Sequence, residues 1–300
     1  NKAYLEQSRD YITALLRQLM PQIGPDGQEC LDGTRFLDWP SNSNKDAIAA
    51  GLQALMVWGM RVGVEFAELF EDRQLSNDCK AAEKKLVKAA SKVYKKFLAS
   101  CPAPDAPGSK QVTALMTITG LIDAPKADKE FLSINGAQGF STFYGYYMLE
   151  AMAMAGNYQG ALDVIREYWG AMIDLGATSF WEDFDINWIP NAAPIDELVP
   201  EGKKDIHGDC GAYCYVGFRH SLCHGWASGP TSWLSRHILG VEVIEPGCRQ
   251  VRITPHLGDL QWVKGTFPTP YGELQIYHEK QANGNVISEV KAPKGVSVIK

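Results

Sequence analysis

The chain has 300 residues, 45% of them hydrophobic and 21% charged, an ordinary composition for a folded protein with a sizeable core. This excludes disordered, collagen-like and low-complexity classes. Its 29 basic and 35 acidic residues give a net charge of −6, against a nucleic-acid partner, and no run approaches the ~18 consecutive apolar residues of a membrane span.

Residues 4–20 repeat apolar side chains at three- and four-residue steps, from Tyr4 and Leu5 to Leu19, which predicts a helix stopped by Pro21. A loop over Asp26–Asn44 carries Asp38-Trp39-Pro40. Ser43 followed by Asp46 is capping-box-like and opens a second helix that runs uninterrupted toward Phe70. A third helix is expected from about Cys79 to Ala99, with Lys84, Lys85, Lys88, Lys92, Lys95 and Lys96 on a solvated face. Three prolines in 102–108 make a loop, Gln111–Thr119 a short helix, and Lys126–Gly139 a polar connection. Thr142–Ala155 and Asn157–Leu175 form a helix pair broken at Gly156, a natural left-handed C-terminal position. A long loop then runs to about Arg219, and His220–Leu239 reads as one more helix.

At Gly240 the period changes. Val251–Thr254 and Leu274–His278 alternate, and Gly258-Asp259, Tyr271-Gly272 and Asn283-Gly284 are turn signals between short strands. The expected organisation is therefore a helical region over 1–240 and an antiparallel β domain over 241–300. About seven helices in sequential hairpins suggest a toroid or solenoid of helix pairs, and no repeat near 34 or 40 residues is present. The seven cysteines are an odd set without framework spacing, which favours a reducing compartment and leaves the destination open. The chain opens Asn1-Lys2-Ala3-Tyr4, without methionine or a targeting segment.

Three stretches could carry chemistry. Glu182 lies within Trp181-Glu182-Asp183-Phe184-Asp185. A carboxylate beside aromatic rings suits sugar chemistry, because rings stack on a pyranose while the carboxylate activates water. An acidic loop anchored by a buried tryptophan would look the same. In Ser221–Pro230, His224 and Trp226 sit among small residues that leave room for a ligand, although Trp226 and Trp233 also fit a plain core stripe. Finally, His207, Cys210, Cys214, His220, Cys223 and His224 crowd into eighteen residues. Five residues separate Cys214 from His220, where a zinc finger has about twelve, so no metal is expected. Dinucleotide, Walker, nucleophile-elbow and H-E-x-x-H motifs are missing, and no cofactor is expected.

Taken in order, Gly176–Glu182, Ser221–Pro230, Leu239-Gly240-Val241, Pro246-Gly247, Pro255–Gly265 and Pro268–Gly272 resemble the end of a bacterial α-L-rhamnosidase catalytic domain and its passage into a C-terminal β-sandwich. Asp32-Gly33 and Asp38-Trp39 are similar to an earlier loop of that family. The resemblance is densest over 170–275. It implies part of an (α/α)6 barrel followed by a β-sandwich, and inverting hydrolysis of terminal α-L-rhamnose from glycosides or oligosaccharides. Glu182 would match the general base, which should stay ionised in a polar site, His224 a sugar contact and Trp39 a pocket wall, with Asp38 and Trp181 as adjacent candidates. The family's acidic motif with the general acid has no counterpart in Asn1–Leu37, where Asp26, Glu29 and Asp32 lack its spacing. The resemblance therefore implies the C-terminal portion of a longer enzyme, with the acid upstream. A non-catalytic carbohydrate-binding or structural module and another (α/α)6 glycosidase are the alternatives.

Overall fold

The computed structural model describes residues 2–208, 210, 217 and 219–299. Two compact units divide the chain, Asn1–Ala155 and Gly156–Lys300.

The first unit is helical: α1 (Lys2–Gln7), α2 (Arg9–Leu19), α3 (Lys45–Leu69), α4 (Arg73–Ser100), α5 (Ser109–Ile118), α6 (Ala124–Ala127) and α7 (Gly145–Met154). Asn44, rather than Ser43, caps α3, because its side chain accepts from Ala47 N–H at 3.0 Å. Asp72 caps α4 in the same way through Leu75 N–H, so α4 starts six residues before the sequence expectation. α3 and α4 form a hairpin around Met56, Val57, Met60, Leu75, Cys79 and Leu86, closed on one side by Leu16 of α2. α3 is long and apolar enough to cross a membrane by length and composition, but most of that stretch is buried within the unit. Buried Gln53 takes Glu29 N–H on its oxygen and donates to Gly27 and Leu86 carbonyls, tying the 24–31 loop to the hairpin. α5 is buried along almost its whole length against α3 and α7. The segment expected as a polar connection at 126–139 instead begins with α6 and a π-turn over Asp128–Leu132, capped by Asp123.

The second unit starts with α8 (Tyr158–Asp174), which buries Leu162, Val164, Tyr168, Trp169 and Met172. An irregular stretch follows. The helix expected over His220–Leu239 is reduced to a 3-10 turn at Gly225–Ala227, α9 (Gly229–Trp233) and a π-turn at Leu234–Ile238. Backbone groups at 221 and 224 are committed to residues 180–182 instead, and Pro230 sets the helix start near Gly229.

The change from helices to strands falls at Gly240. Its φ of +72° and the approach of Thr254 and Pro255 backbone to within 2.5 Å of a Cβ there leave room for glycine alone. Strands β1 (Val241–Val243), β2 (Gln250–Ile253) and β6 (Ser297–Ile299) form one sheet in the order β1-β2-β6. The other sheet is a meander of β3 (Trp262–Thr269), β4 (Gly272–Lys280) and β5 (Val286–Lys291). Both contribute to one apolar cluster of Leu239, Val241, Val251, Ile253, Leu274 and Ile276. One pair departs from the antiparallel pattern: β6 pairs parallel with β2. These two strands are separated by the whole β3–β5 meander, so no hairpin forces them to oppose.

Candidate active site

Two separated stretches of the second unit, Phe180–Asp183 and His220–His224, are zipped side by side. Glu182 N–H donates to Ser221 O at 2.8 Å, and His224 N–H donates to Phe180 O at 2.7 Å. The Glu182 carboxylate turns back onto the partner stretch, where its Oε2 accepts from Ser221 N–H at 3.2 Å. His224 Nδ1 stands 3.9 Å from the same oxygen, with the two side chains 33% and 18% exposed. Carboxylate and imidazole are therefore neighbours that solvent, or a small polar ligand, can reach.

α8 holds both arms of this arrangement. Tyr168 OH donates to Phe184 O beyond one arm, and Trp169 Nε1–H donates to Ala227 O at 3.0 Å beyond the other. Trp226 closes the gap between them: its Nε1–H donates to Glu182 O at 2.6 Å, and its ring lies 4.4 Å from the His224 ring. Each of these bonds replaces water on a backbone carbonyl, so the arms are fixed by hydrogen bonds as well as packing.

The residues next to Glu182 in the chain form an aromatic cluster. Trp181 is fully buried, with its ring edge-on to Phe184 and His220. His220 is 5% exposed; its Nε2 accepts from Asp183 N–H at 3.1 Å, and its Nδ1–H donates to Ile206 O at 2.8 Å. Burial pushes the His220 imidazole below its ordinary pKa, with Glu182 opposing and His207 adding to the fall.

Asp38 and Trp39 belong to the first unit. The Asp38 carboxylate is 4% exposed and accepts from Ser141 Oγ at 2.5 Å, Gln111 Nε2 at 3.2 Å and Trp39 N–H at 3.0 Å. Desolvation pushes its pKa up to about 6 against the pull of those three donors. Trp39 is half-buried and edge-on to Phe36 at 5.0 Å.

Among the sequence candidates, the structure brings Trp181, Glu182 and His224 together, while Asp38 and Trp39 pair with each other elsewhere in the chain. Trp226, read in sequence with His224 as flanking room for a ligand or as plain core, stands beside the His224 ring, and His220, read as one of a possible metal set, is a buried backbone partner. Among the described residues no group of three or more His, Cys, Asp or Glu could hold a metal ion; Cys214 lies outside the described residues.

With this geometry established, likeness to known proteins becomes informative. Residues 240–299 match the bacterial alpha-L-rhamnosidase C-terminal domain. The whole chain superposes on the GH78 family rhamnosidase of Bacillus sp. GL1 with a TM-score of 0.70 at 21% identity, covering 99% of this chain and 31% of that one. The chain has the α-L-rhamnosidase fold. The Streptomyces avermitilis alpha-L-rhamnosidase, solved with L-rhamnose, superposes with a TM-score of 0.71 at 18% identity, covering 99% of this chain and 27% of that one. The Aspergillus terreus alpha-L-rhamnosidase gives 0.72 at 16% identity, covering 99% and 34%. The chain thus spans about a third of the length of these rhamnosidases. No curated protein matches it in sequence.

Proposed function

We propose that the chain is part of a glycoside hydrolase that removes terminal α-L-rhamnose from glycosides or oligosaccharides with inversion, and that Glu182 is its general base. The observation that carries this reading is the partly exposed pair of Glu182 and His224 with Trp226 beside it, in a chain with the α-L-rhamnosidase fold. In this reaction Glu182 takes a proton from water as the water oxygen bonds to the anomeric carbon. The bond to the leaving oxygen breaks on the opposite face, and that oxygen is protonated by an acid supplied from upstream of Asn1. Inversion requires the two carboxyl groups to stand ~6.5–9.5 Å apart, so that the water fits between base and sugar.

His224 is assigned to the sugar hydroxyls, and Trp181 to holding Glu182 in place. Trp39 is assigned as a pocket wall whose loop Asp38 fixes through the Trp39 N–H. In the same reading, residues 1–240 are the C-terminal part of an (α/α)6 toroid and 241–300 a β-sandwich.

The test is release of the phenol from an aryl α-L-rhamnoside by the full-length parental protein, beside its Glu182→Gln variant. The parent should release it, and the variant should lose about 10²–10⁴-fold or more in kcat. No release by the parent, or an equally active variant, rejects the assignment; binding of rhamnose without release would favour a carbohydrate-binding module.

A further inference from the structure

We propose that His220 is a positioning residue for the Glu182 base: held as a neutral imidazole with its proton on Nδ1, it fixes the backbone on which Glu182 stands, and protonation of Nε2 disarms the site. The inference rests on the assignment of Glu182 as base.

The tautomer follows from the partners. Asp183 N–H can only donate, so Nε2 must present its lone pair; Ile206 O can only accept, so Nδ1 must carry the hydrogen. Backbone bonds extend the same clamp. His220 N–H donates to His207 O at 2.8 Å, and the next residue, Ser221, both accepts from Glu182 N–H and donates to Glu182 Oε2. One imidazole therefore joins three stretches of chain: 181–184, 206–207 and 220–224. Its ring is held edge-on by Trp181 at 6.3 Å and by Trp188 at 6.1 Å.

A proton on Nε2 would turn that nitrogen into a donor facing the Asp183 N–H, and the two would have to separate. The arm carrying Glu182 would move with them. Among the described residues, the ionisable groups around the ring are Glu182 and Asp183 on one arm, the Asp205–His207 pair (2.7 Å) on the connecting stretch, and Arg219 next in the chain. Burial, the dominant influence, and His207 disfavour the imidazolium, whereas backbone hydrogen bonding at Ile206 and Asp183 and the Glu182 carboxylate favour it, and burial wins. The bond is thus intact at neutral pH and lost as pH falls.

Two side chains separate the halves of the clamp. His220→Asn places an amide N–H near the Nδ1 position but offers Asp183 no acceptor. His220→Gln places an amide oxygen near the Nε2 position and keeps that acceptor. In the full-length enzyme acting on an aryl α-L-rhamnoside, His220→Asn should lower kcat by about 10–100-fold, the scale of an ångström-sized misplacement, with KM nearly unchanged. His220→Gln should recover most of the rate. The Gln variant should also keep its activity to lower pH than the natural enzyme, because the group that breaks the clamp is gone. Equal losses in Asn and Gln, or an unmoved acid limb, would overturn the proposal. Neutron diffraction from crystals of the parental enzyme above pH 7 gives an independent readout: deuterium should sit on Nδ1 and not on Nε2. Deuterium on Nε2 rejects the clamp even if rhamnosides prove not to be substrates, whereas correct deuteration without rhamnoside cleavage keeps the clamp and rejects the assigned activity.

Discussion

Desolvation and hydrogen bonding pull the Asp38 carboxyl in opposite directions, and desolvation wins, raising the pKa to about 6. The folded first unit therefore binds this proton more readily than the unfolded chain does, so the contribution of Asp38 to stability is present near pH 4 and lost as pH rises through 6. The swing is roughly 3 kcal/mol at ~1.4 kcal/mol per pH unit. Asp38→Asn should remove that dependence; melting temperatures of the two proteins that run parallel from pH 4 to 7 would contradict it. At Trp226, replacement by Phe keeps a ring beside His224 but leaves Glu182 O without its indole donor. A lost hydrogen bond of about 1.5 kcal/mol corresponds to roughly tenfold in rate if the base shifts with its backbone. The expected outcome is a tenfold lower kcat on an aryl rhamnoside in a normally folded protein, and an unchanged kcat would show that Trp226 does not hold the base in place.

Helices were legible at the level of elements because their apolar spacing coincides with burial: Leu162, Trp169, Met172 and Leu175 all lie inside. The misreading at His220–Leu239 has a definite cause. A periodic pattern records which side chains prefer burial, but not which backbone donors a distant strand-like stretch has taken, and His224 N–H belongs to Phe180. α6 escaped notice because four residues carry too little periodicity to register. Gly240 marked the change to strands in sequence, and the structure supplies the reason in its left-handed φ and close backbone neighbours. Gly240→Ala should cost about 3 kcal/mol, from the left-handed backbone plus the clash. Denaturant unfolding of the variant at an unshifted midpoint would refute this.

For the molecule as a whole, the order of helices before strands could be read along the chain, as could Trp181, Glu182 and His224 as candidates that the fold brings together. Their neighbours could not. His220 reaches Ile206 across fourteen positions and Asp183 across thirty-seven, separations that local pattern does not encode. The parallel return of β6 beside β2 is hidden for the same reason. The second unit bridges these distances with backbone as well as side chain: His220 N–H donates to His207 O beside the imidazole's own bond to Ile206 O. Closing a loop costs entropy that grows only with the logarithm of its length, so the thirty-seven positions between Asp183 and His220 cost about 0.6 kcal/mol more than half that separation would. One side chain can therefore tie together stretches drawn from far along the chain at almost the entropic cost of near ones, and the Glu182 arm is held by partners that no local pattern announces.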